Sequence, residues 1–524
     1  MTPFKTPPRR ARKLRSSRTA LLAAGACLSL GLAHVGPAAA ALPARTDLDA
    51  TPQASGEAGQ TSVMDDLVAA VQGDRSAQVR LEARVGSGAE GSQVRNRLHA
   101  LFAGGVDADV RVVNLQQRDQ RARLTLARNG ERYGVADVVL APDGGLLDLQ
   151  LVPIPRPYSG PAGPSPASTA ELAEAIDERV RFAVDNGDFS GAVLVTGPDG
   201  SVVYARAFGE ADREAGSANE LGTRFNLGSM DKQFTGVAIA RLVEQGRLSL
   251  DDTIGGVLPD YPGPPEARAI TVEQLLNHES GLGMLFDRAG WDWKFRYDEM
   301  ADLFPIFAGE PLAYAPGSQS TYSNEGYIVL GAMIERLTGQ SWYDHVREQV
   351  FEPAGMEATA YLTDDRTLPS RATGYAFAAD DPFGLGDRRA SWDTLSWKGN
   401  SCGGGFSTVG DITRFLRALR AGALVPLEQL PLPEAGPPAR RFGLEFIPVA
   451  PGRTLVGHSG GGPASGINAE ARIIWETGHA YAVLGNLDAP FAQMLARDLS
   501  AMLVAQGPQQ AVRGGADNVP IPAR

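Results

Sequence analysis

The sequence predicts a protein of mixed α and β structure, in which a small α+β unit precedes a larger domain of the same class. Three observations carry this prediction. The chain has 524 residues, of which 43% are hydrophobic, which is enough for more than one domain core. A proline-rich stretch at residues 156–167 predicts a stiff, exposed linker. Beyond it, strand-like runs occur at both ends of residues 168–505, with helix-like runs between them.

Residues 1–41 have the pattern of an export signal. Arginine and lysine residues, with no acidic residue among them, precede an apolar run from Ala20 to Val35. That run is too short for a comfortable membrane span, and Ala38 to Ala41 offer a small-residue cleavage site. We therefore expect a mature bacterial protein that is periplasmic or secreted and has no membrane span after signal cleavage. Residues 42–60, which are polar and rich in Ala and Gly, predict a flexible leader.

Residues 61–155 predict a small α+β domain. Apolar residues at helical spacing mark one helix around Val94 to Phe102. Four strand-like runs follow, at residues 110–115, 122–127, 133–140 and 146–152, with hairpin turns predicted at Asn129-Gly130 and Asp143-Gly144. The pattern is similar to that of the small curved-sheet domains related to nuclear transport factor 2. We assign no chemistry to this unit.

The larger domain, residues 168–505, opens and closes with recognisable elements. A helix is predicted at residues 172–184, followed by a hairpin with strands at 191–196 and 201–204. At the other end, strands are predicted at 468–475 and 480–486, and a final helix at 490–504. Residues 506–524 predict a disordered tail.

Ser229 and Lys232 form a Ser-x-x-Lys motif at the start of a largely apolar helical run that extends to Gly246. Residues three apart on a helix share a face, so the Lys232 ammonium can reach the Ser229 hydroxyl. A serine hydroxyl is a poor nucleophile until a base removes its proton, and a lysine can do so when desolvation or a neighbouring cation lowers its pKa. Taken alone, the motif would favour a serine N-cap followed one turn later by a surface lysine.

Two further motifs are sparse in this chain. Among 12 tyrosines, only Tyr322 has an asparagine, Asn324, two positions later. Among the histidines beyond residue 41, only His458 has a glycine, Gly460, two positions later. Tyr-x-Asn alone is typical of an ordinary turn with an aromatic anchor. His458 lies in a small-residue run that predicts a core strand against which a substrate backbone can lie.

The three motifs, in this order, resemble the signatures of penicillin-recognising serine hydrolases: class C β-lactamases, DD-peptidases, D-aminopeptidases and related esterases. The resemblance implies a β-lactamase/transpeptidase-like fold, an antiparallel sheet flanked by helices, with a helical subdomain inserted between Ser229 and the third motif. It also implies that Ser229 is acylated, that Lys232 and Tyr322 move protons, and that no cofactor is needed.

The resemblance also implies a set of binding residues. Asn324 is expected to bind Lys232 and a substrate amide, while His458, Ser459 and Gly460 form the far wall of the pocket. The N–H of Gly461 is expected to pair with the N–H of the nucleophile as an oxyanion hole. Many β-lactamases carry lysine where this chain has His458, which is mostly neutral at pH 7. An ester, a D-amino-acid peptide or amide, and a β-lactam therefore all remain open as substrates.

Ser459 offers a competing nucleophile. The five residues from Gly457 to Gly461 also fit Gly-x-Ser-x-Gly, the nucleophile elbow of α/β-hydrolases. An elbow needs a helix directly after its serine, but Gly462 to Gly466 begin a helix badly, and only His479 lies downstream as a base. With 61 glycines in the chain, the pattern is a weak signal.

Composition excludes several other classes. The formal net charge is −12, and removal of the basic signal makes the chain more acidic, which argues against nucleic acid or an anionic membrane as partner. Cys402 is the only cysteine after residue 41, so no intrachain disulfide can form. No metal-ligand spacing or phosphate-binding loop is present.

The remaining alternative is a non-catalytic protein of the same fold that binds cell-wall peptides or β-lactams. An intact Ser229, Lys232 and Tyr322 weigh against it.

Overall fold

The computed structural model describes residues 62–505, except 87–88, 104–109, 119, 131, 159–165, 167, 286–294, 363–366, 378–386, 393–394, 431–438 and 463. The predicted signal peptide, flexible leader and C-terminal tail lie outside the described residues, as does most of the predicted linker. Within the described residues, no helix combines the length and the apolar character needed to cross a membrane.

The N-terminal unit is a four-stranded antiparallel sheet packed on helices. Its helices are α1 (Val63–Val71), α2 (Arg75–Ala83) and α3 (Ala89–Ala103), and its strands, adjacent in chain order, are β1 (Val110–Arg118), β2 (Arg121–Arg128), β3 (Arg132–Leu140) and β4 (Leu146–Ile154). Alternate residues of β2, namely Ala122, Leu124 and Leu126, face the core. The sequence predicted α3 and the four strands, but it missed α1 and α2.

The strands of the larger domain form one main sheet and several short pairs. In chain order they are β5 (Gly191–Thr196), β6 (Val202–Phe208), β7 (Glu210–Asp212), β8 (Ser217–Ala218), β9 (Phe225–Asn226), β10 (Tyr375–Ala376), β11 (Arg389–Ala390), β12 (Phe406–Ser407), β13 (Ala439–Arg441), β14 (Leu444–Ala450), β15 (Arg453–Gly462), β16 (Ile467–Ile474) and β17 (Ala480–Gly485). The main sheet has seven antiparallel strands in the order β13-β14-β15-β16-β17-β5-β6. Strands from the two ends of the domain therefore meet at β17 and β5.

Helices cover both faces of this sheet. They are α4 (Thr169–Asp185), α5 (Asp231–Glu244), α6 (Ile254–Val257), α7 (Pro265–Arg268), α8 (Val272–Leu276), α9 (Phe304–Phe307), α10 (Asn324–Thr338), α11 (Trp342–Val346), α12 (Glu352–Ala354), α13 (Val409–Arg420) and α14 (Phe491–Val504). The apolar faces of α4 and α14 share a core with β5 and β17, whereas α5, α10 and α13 pack in the larger core on the other face. Helices α6 to α12 form the helical insertion. The predicted antiparallel sheet flanked by helices, with a helical subdomain, is confirmed.

Candidate active site

Ser229 lies in a single 3-10 turn, Gly228–Met230, immediately before α5. The sequence placed the start of the helix at Ser229, whereas the α-helical part begins two residues later, at Asp231. The first ten residues of α5, from Asp231 to Ala240, are all buried, because this helix crosses the middle of the domain. Ser229 itself remains partly exposed at the end of this buried helix.

Lys232 is fully buried one turn after Ser229, and three acceptors surround its ammonium group. Its Nζ lies 3.2 Å from Ser229 Oγ, 2.7 Å from Asn324 Oδ1 and 2.5 Å from the carbonyl oxygen of Cys402. A lysine ammonium has three N–H donors, and each of these contacts can take one. The sequence predicted the first two contacts, the first from helical spacing and the second from the family resemblance.

Tyr322 lies immediately before the N-cap of α10, with its ring over the Lys232 ammonium. Lys232 Nζ lies 4.7 Å from the ring centroid, within the range of a cation–π contact. Desolvation raises the pKa of the Tyr322 phenol well above its ordinary value, although a hydrogen bond with the Ser229 hydroxyl acts in the opposite direction. The phenol is therefore protonated at neutral pH and can donate a hydrogen bond or a proton.

Strand β15 brings its glycines against the nucleophile turn. A Cβ atom added to Gly460 would lie 1.8 Å from Leu227 O and 3.0 Å from Ser229 N. A Cβ atom added to Gly228 would lie 3.0 Å from Gly461 N. The backbone amides of Ser229 and Gly461 therefore lie on facing segments, as an oxyanion hole requires. Only residues without side chains permit this approach.

His458 is buried in β15 and is neutral at physiological pH. Burial lowers its pKa to about 4, and the Lys232 charge acts in the same direction, while Glu445 opposes the shift. His458 Nδ1 lies 2.5 Å from the carbonyl oxygen of Ser459. A carbonyl oxygen can only accept a hydrogen bond, so Nδ1 carries the proton and Nε2 is an acceptor. The third motif therefore contributes no positive charge.

A buried ion pair lies beside His458. Arg472 donates to Glu445 Oε2 at 2.7 Å, and it also pairs with Glu470. Burial disfavours the charged form of Glu445, but Arg472, with His458 and Arg440, outweighs this effect and lowers its pKa to about 2. The Glu445 carboxylate is therefore ionised at neutral pH and lies next to the neutral ring of His458.

Ser459 does not occupy an elbow. It lies inside β15, which continues as a strand to Gly462, so the strand-to-helix turn that the competing motif requires does not follow it. The third-motif residues His458, Ser459, Gly460 and Gly461 instead follow one another along a strand beside Ser229, as the resemblance predicted.

Sequence reasoning missed three contributors to this site. The carbonyl of Cys402 accepts from Lys232, and a main-chain acceptor leaves no signal in residue type. Asp231, inside the Ser-x-x-Lys motif, accepts from Gly405 N at 2.6 Å, and burial raises its pKa to about 7. His278 accepts hydrogen bonds from the backbone N–H groups of Thr321 and Ser323, the two chain neighbours of Tyr322.

In the described part of the chain, no group of three or more His, Cys, Asp or Glu side chains could hold a metal ion.

Comparison with known proteins places the larger domain in a family. A family model described as Beta-lactamase matches residues 172–506. The chain belongs to the Beta-lactamase family. The match begins within α4 and includes all three motifs, so the resemblance inferred from Ser229, Tyr322 and His458 is confirmed. The N-terminal unit precedes the part of the chain that the Beta-lactamase model covers.

Individual relatives within the Beta-lactamase family carry different names. Penicillin-binding protein 4* of Bacillus subtilis (strain 168) is 32% identical over 195 residues, which are 36% of this chain and 41% of that protein. Esterase EstB of Burkholderia gladioli is 33% identical over 207 residues, 37% of this chain and 53% of that protein. This chain therefore spans about half the length of the curated relatives it matches.

A solved structure extends the similarity over the whole domain. The D-amino acid amidase of Ochrobactrum anthropi SV3 superposes with a TM-score of 0.51 at 25% identity, and the match covers 63% of this chain and 97% of the amidase. The Beta-lactamase domain thus has the architecture of a complete protein of this fold.

Proposed function

We propose that this protein is an exported serine hydrolase that transfers the acyl group of an ester or amide to water through Ser229. The observation that carries the proposal is the position of Lys232. Burial of a lysine amine costs desolvation free energy, and a fully buried lysine in contact with a serine hydroxyl, Asn324 and the ring of Tyr322 is typical of a catalytic site. This argues against the non-catalytic alternative.

Acylation follows from the contacts around Ser229. The reactive form of the enzyme is the one in which Lys232 has lost a proton to solvent. Its neutral amine then accepts the proton of the Ser229 hydroxyl as Oγ attacks the carbonyl carbon of the substrate, while the Tyr322 phenol keeps its own proton. The carbonyl oxygen gains negative charge and takes hydrogen bonds from the amides of Ser229 and Gly461. The bond to the leaving group then breaks, and Tyr322 donates its proton to the departing oxygen or nitrogen.

Deacylation returns the groups to their starting state. The proton on Lys232 passes back to the Tyr322 phenolate. The neutral amine of Lys232 can then act as the base that removes a proton from a water molecule. Water attacks the acyl-Ser229 ester, its proton returns to the Ser229 oxygen, and the carboxylic acid leaves. Each proton removed in one half of the cycle is restored in the other, so no metal or organic cofactor is required.

The third motif limits the substrates that we propose. Because His458 is neutral and offers an acceptor at Nε2, it cannot form an ion pair with a substrate carboxylate. Esters and amides that carry no obligatory carboxylate therefore suit this pocket better than D-peptides or penicillins do. The relatives are named as a penicillin-binding protein, an esterase and a D-amino acid amidase, so their names include penicillins, esters and D-amino-acid amides.

A substrate panel tests the proposal. Purified protein and Ser229→Ala are assayed with p-nitrophenyl butyrate, D-alanine p-nitroanilide and the chromogenic cephalosporin nitrocefin. We expect turnover of the ester, weaker turnover of the anilide, and slow or no turnover of nitrocefin, all dependent on Ser229. Turnover that persists in Ser229→Ala, or no turnover of any acyl compound by the wild type, would contradict the proposed function.

Export is a separate part of the proposal and rests on residues 1–41. The full chain is expressed in a bacterial host, and the protein is recovered from periplasm and medium for N-terminal sequencing. We expect a mature N terminus near Ala41. Recovery of the uncleaved chain from the cytoplasm alone would show that this prediction is wrong.

A further inference from the structure

His278 contacts the chain on both sides of Tyr322. Its carbonyl oxygen accepts from Thr321 N at 2.9 Å, and its ring Nδ1 accepts from Ser323 N at 3.1 Å. The phenol of Tyr314 donates to the same carbonyl at 3.1 Å and accepts from Thr321 N at 3.0 Å. One residue therefore fixes the backbone immediately before and immediately after Tyr322.

The side chain of His278 also contacts the ring of Tyr322. The two ring centroids lie 4.4 Å apart at an interplanar angle of 32°. The Lys232 ammonium also contacts the Tyr322 ring, with Nζ 4.7 Å from the ring centroid. The phenol ring is thus in contact with a neutral imidazole and a cation, and its backbone is held at both ends.

The hydrogen bond to His278 defines which nitrogen of its ring carries the proton. Nδ1 accepts a hydrogen bond from the backbone N–H of Ser323, so the neutral ring carries its own proton on Nε2. Burial lowers the pKa of His278 well below 6.5, and the charges of Arg440 and Lys232 act in the same direction. The residue also has a left-handed backbone, with φ of 61°, a conformation that is uncommon outside glycine, although histidine, asparagine and aspartate adopt it more often than other residues do. Such strain is retained where the surrounding contacts fix it.

We propose that His278 is a positioning residue for Tyr322. It holds the phenol where it can bond Ser229 and then deliver its proton to the leaving group. This inference rests on the proposed function, because it assigns a partner to the proton-donating step of that same site. His278 does not touch the reacting atoms in this account and acts only through Tyr322.

Two substitutions separate the contacts of His278. His278→Phe keeps an aromatic ring against Tyr322 but removes the acceptor, which leaves the buried N–H of Ser323 unpaired. His278→Asn loses the ring but places its amide oxygen at the position of Nδ1, and asparagine tolerates a positive φ. His345→Asn is the matched control, since His345 is also buried and its Nδ1 contacts Gln340 Oε1 at 3.2 Å, outside this site.

The assay compares two esters of the same acyl group. p-Nitrophenolate leaves as a stable anion, whereas the ethoxide of ethyl butyrate must be protonated as it departs. We measure kcat/KM for both esters and take the ratio, which is independent of the fraction of folded enzyme. A purely structural role would lower the melting temperature and both rates together, and the ratio would not change.

Tyr322→Phe sets the scale of the expected effect. General acid catalysis contributes on the order of 10²-fold or more, so this variant should lose at least that factor for ethyl butyrate relative to p-nitrophenyl butyrate. His278→Phe should lose about tenfold or more in the same ratio. His278→Asn and His345→Asn should stay near the wild-type ratio. If His278→Phe does not fold, we expect His278→Gln to lose the same factor. The amide oxygen of glutamine lies one bond further along the side chain than Nδ1 and cannot replace it as the acceptor from Ser323 N.

The outcomes are distinguishable. A wild-type ratio in a folded His278→Phe or His278→Gln, alongside a changed ratio in Tyr322→Phe, would overturn the role of His278 and leave the proposed function intact. An unchanged ratio in Tyr322→Phe would remove the role of Tyr322 and overturn the inference with it. Activity that survives Ser229→Ala would overturn the proposed function itself.

Discussion

Gly460→Ala should disable the site through a single methyl group. The Cβ atom of this alanine would lie 1.8 Å from the carbonyl oxygen of Leu227 and 3.0 Å from the amide nitrogen of Ser229. Real Cβ atoms essentially never approach another heavy atom more closely than 3.0 Å. Because the contact at Leu227 is with backbone, a side-chain rotation cannot relieve it. β15 and the nucleophile turn must therefore move apart by about 1 Å or more.

The size of the effect follows from this displacement. A misplacement of about 1 Å in a catalytic group can cost on the order of 10²-fold in rate. Loss of one donor from an oxyanion hole costs about 10²- to 10³-fold. Moving β15 away from Ser229 separates the amides of Ser229 and Gly461, so we expect kcat/KM for p-nitrophenyl butyrate to fall by at least about 10²-fold. This corresponds to about 3 kcal/mol of barrier.

Gly309→Ala is the matched control. Gly309 is exposed, and a Cβ atom added there meets nothing within 4 Å. We expect this variant to keep wild-type kcat/KM. Both variants are compared with wild type by near-ultraviolet circular dichroism and thermal unfolding, so that rates refer to folded protein. A folded Gly460→Ala enzyme with kcat/KM within about threefold of wild type would refute the placement of β15 against the nucleophile turn.

Three further predictions concern the reacting groups. Ser229→Ala should lower kcat for p-nitrophenyl butyrate by at least about 10³-fold, while Ser459→Ala should retain activity within about tenfold; the reverse order would restore the elbow hypothesis. Lys232→Arg keeps a cation that cannot lose its proton, so kcat should fall by at least about 10³-fold, and near-normal turnover would exclude Lys232 as the base. The pKa of His458 is about 4 in the folded protein, below its ordinary value of 6.5. As the pH falls, the unfolded chain therefore binds this proton before the folded protein does. The free energy of unfolding that His458 contributes above pH 6.5 is lost as the pH falls from 6.5 through about 4. The difference is on the order of 3 kcal/mol, and urea unfolding at pH 7 and pH 4.5 should show a smaller pH dependence in His458→Asn than in wild type.

The part of the site that the sequence predicts depends on local spacing. Ser229 and Lys232 are one helical turn apart, so their contact follows from helix geometry alone. Asn324 lies 92 residues further along, and its contact with Lys232 followed only from the resemblance of the ordered motifs. The glycines of the third motif predicted a strand against which a substrate backbone can lie. The structure shows a different close approach, in which Gly460 lies against the turn at Leu227 to Ser229.

The rest of the site depends on long-range contacts between groups that carry no motif. The carbonyl of Cys402 accepts from Lys232 across 170 residues, and any residue type could supply it. The Arg472–Glu445 pair depends on the order of β14, β15 and β16 in the sheet, which one sequence does not fix. His278 belongs to none of the three motifs, and its hydrogen bonds to Thr321 and Ser323 depend on tertiary packing.

The sequence did not predict two helices of the N-terminal unit, α1 and α2, because they are short. α1 and α2 each have nine residues, too few for a helical repeat to stand out from a strand or a loop. Their N-terminal signals are nevertheless present in the sequence. Ser62 and Asp65 form a capping box at α1, and Asp74 caps α2. These caps mark the first residues of both helices.

Active-site labelling is the most direct test of the central claim that Ser229 is an activated nucleophile. Wild type, Ser229→Ala and Ser459→Ala are incubated with a fluorophosphonate, and separately with a penicillin, and intact masses are measured. Our account predicts that the fluorophosphonate adds one adduct to wild type and to Ser459→Ala and none to Ser229→Ala, with peptide mapping to Ser229. An unlabelled wild type, or an adduct that persists in Ser229→Ala, would contradict it.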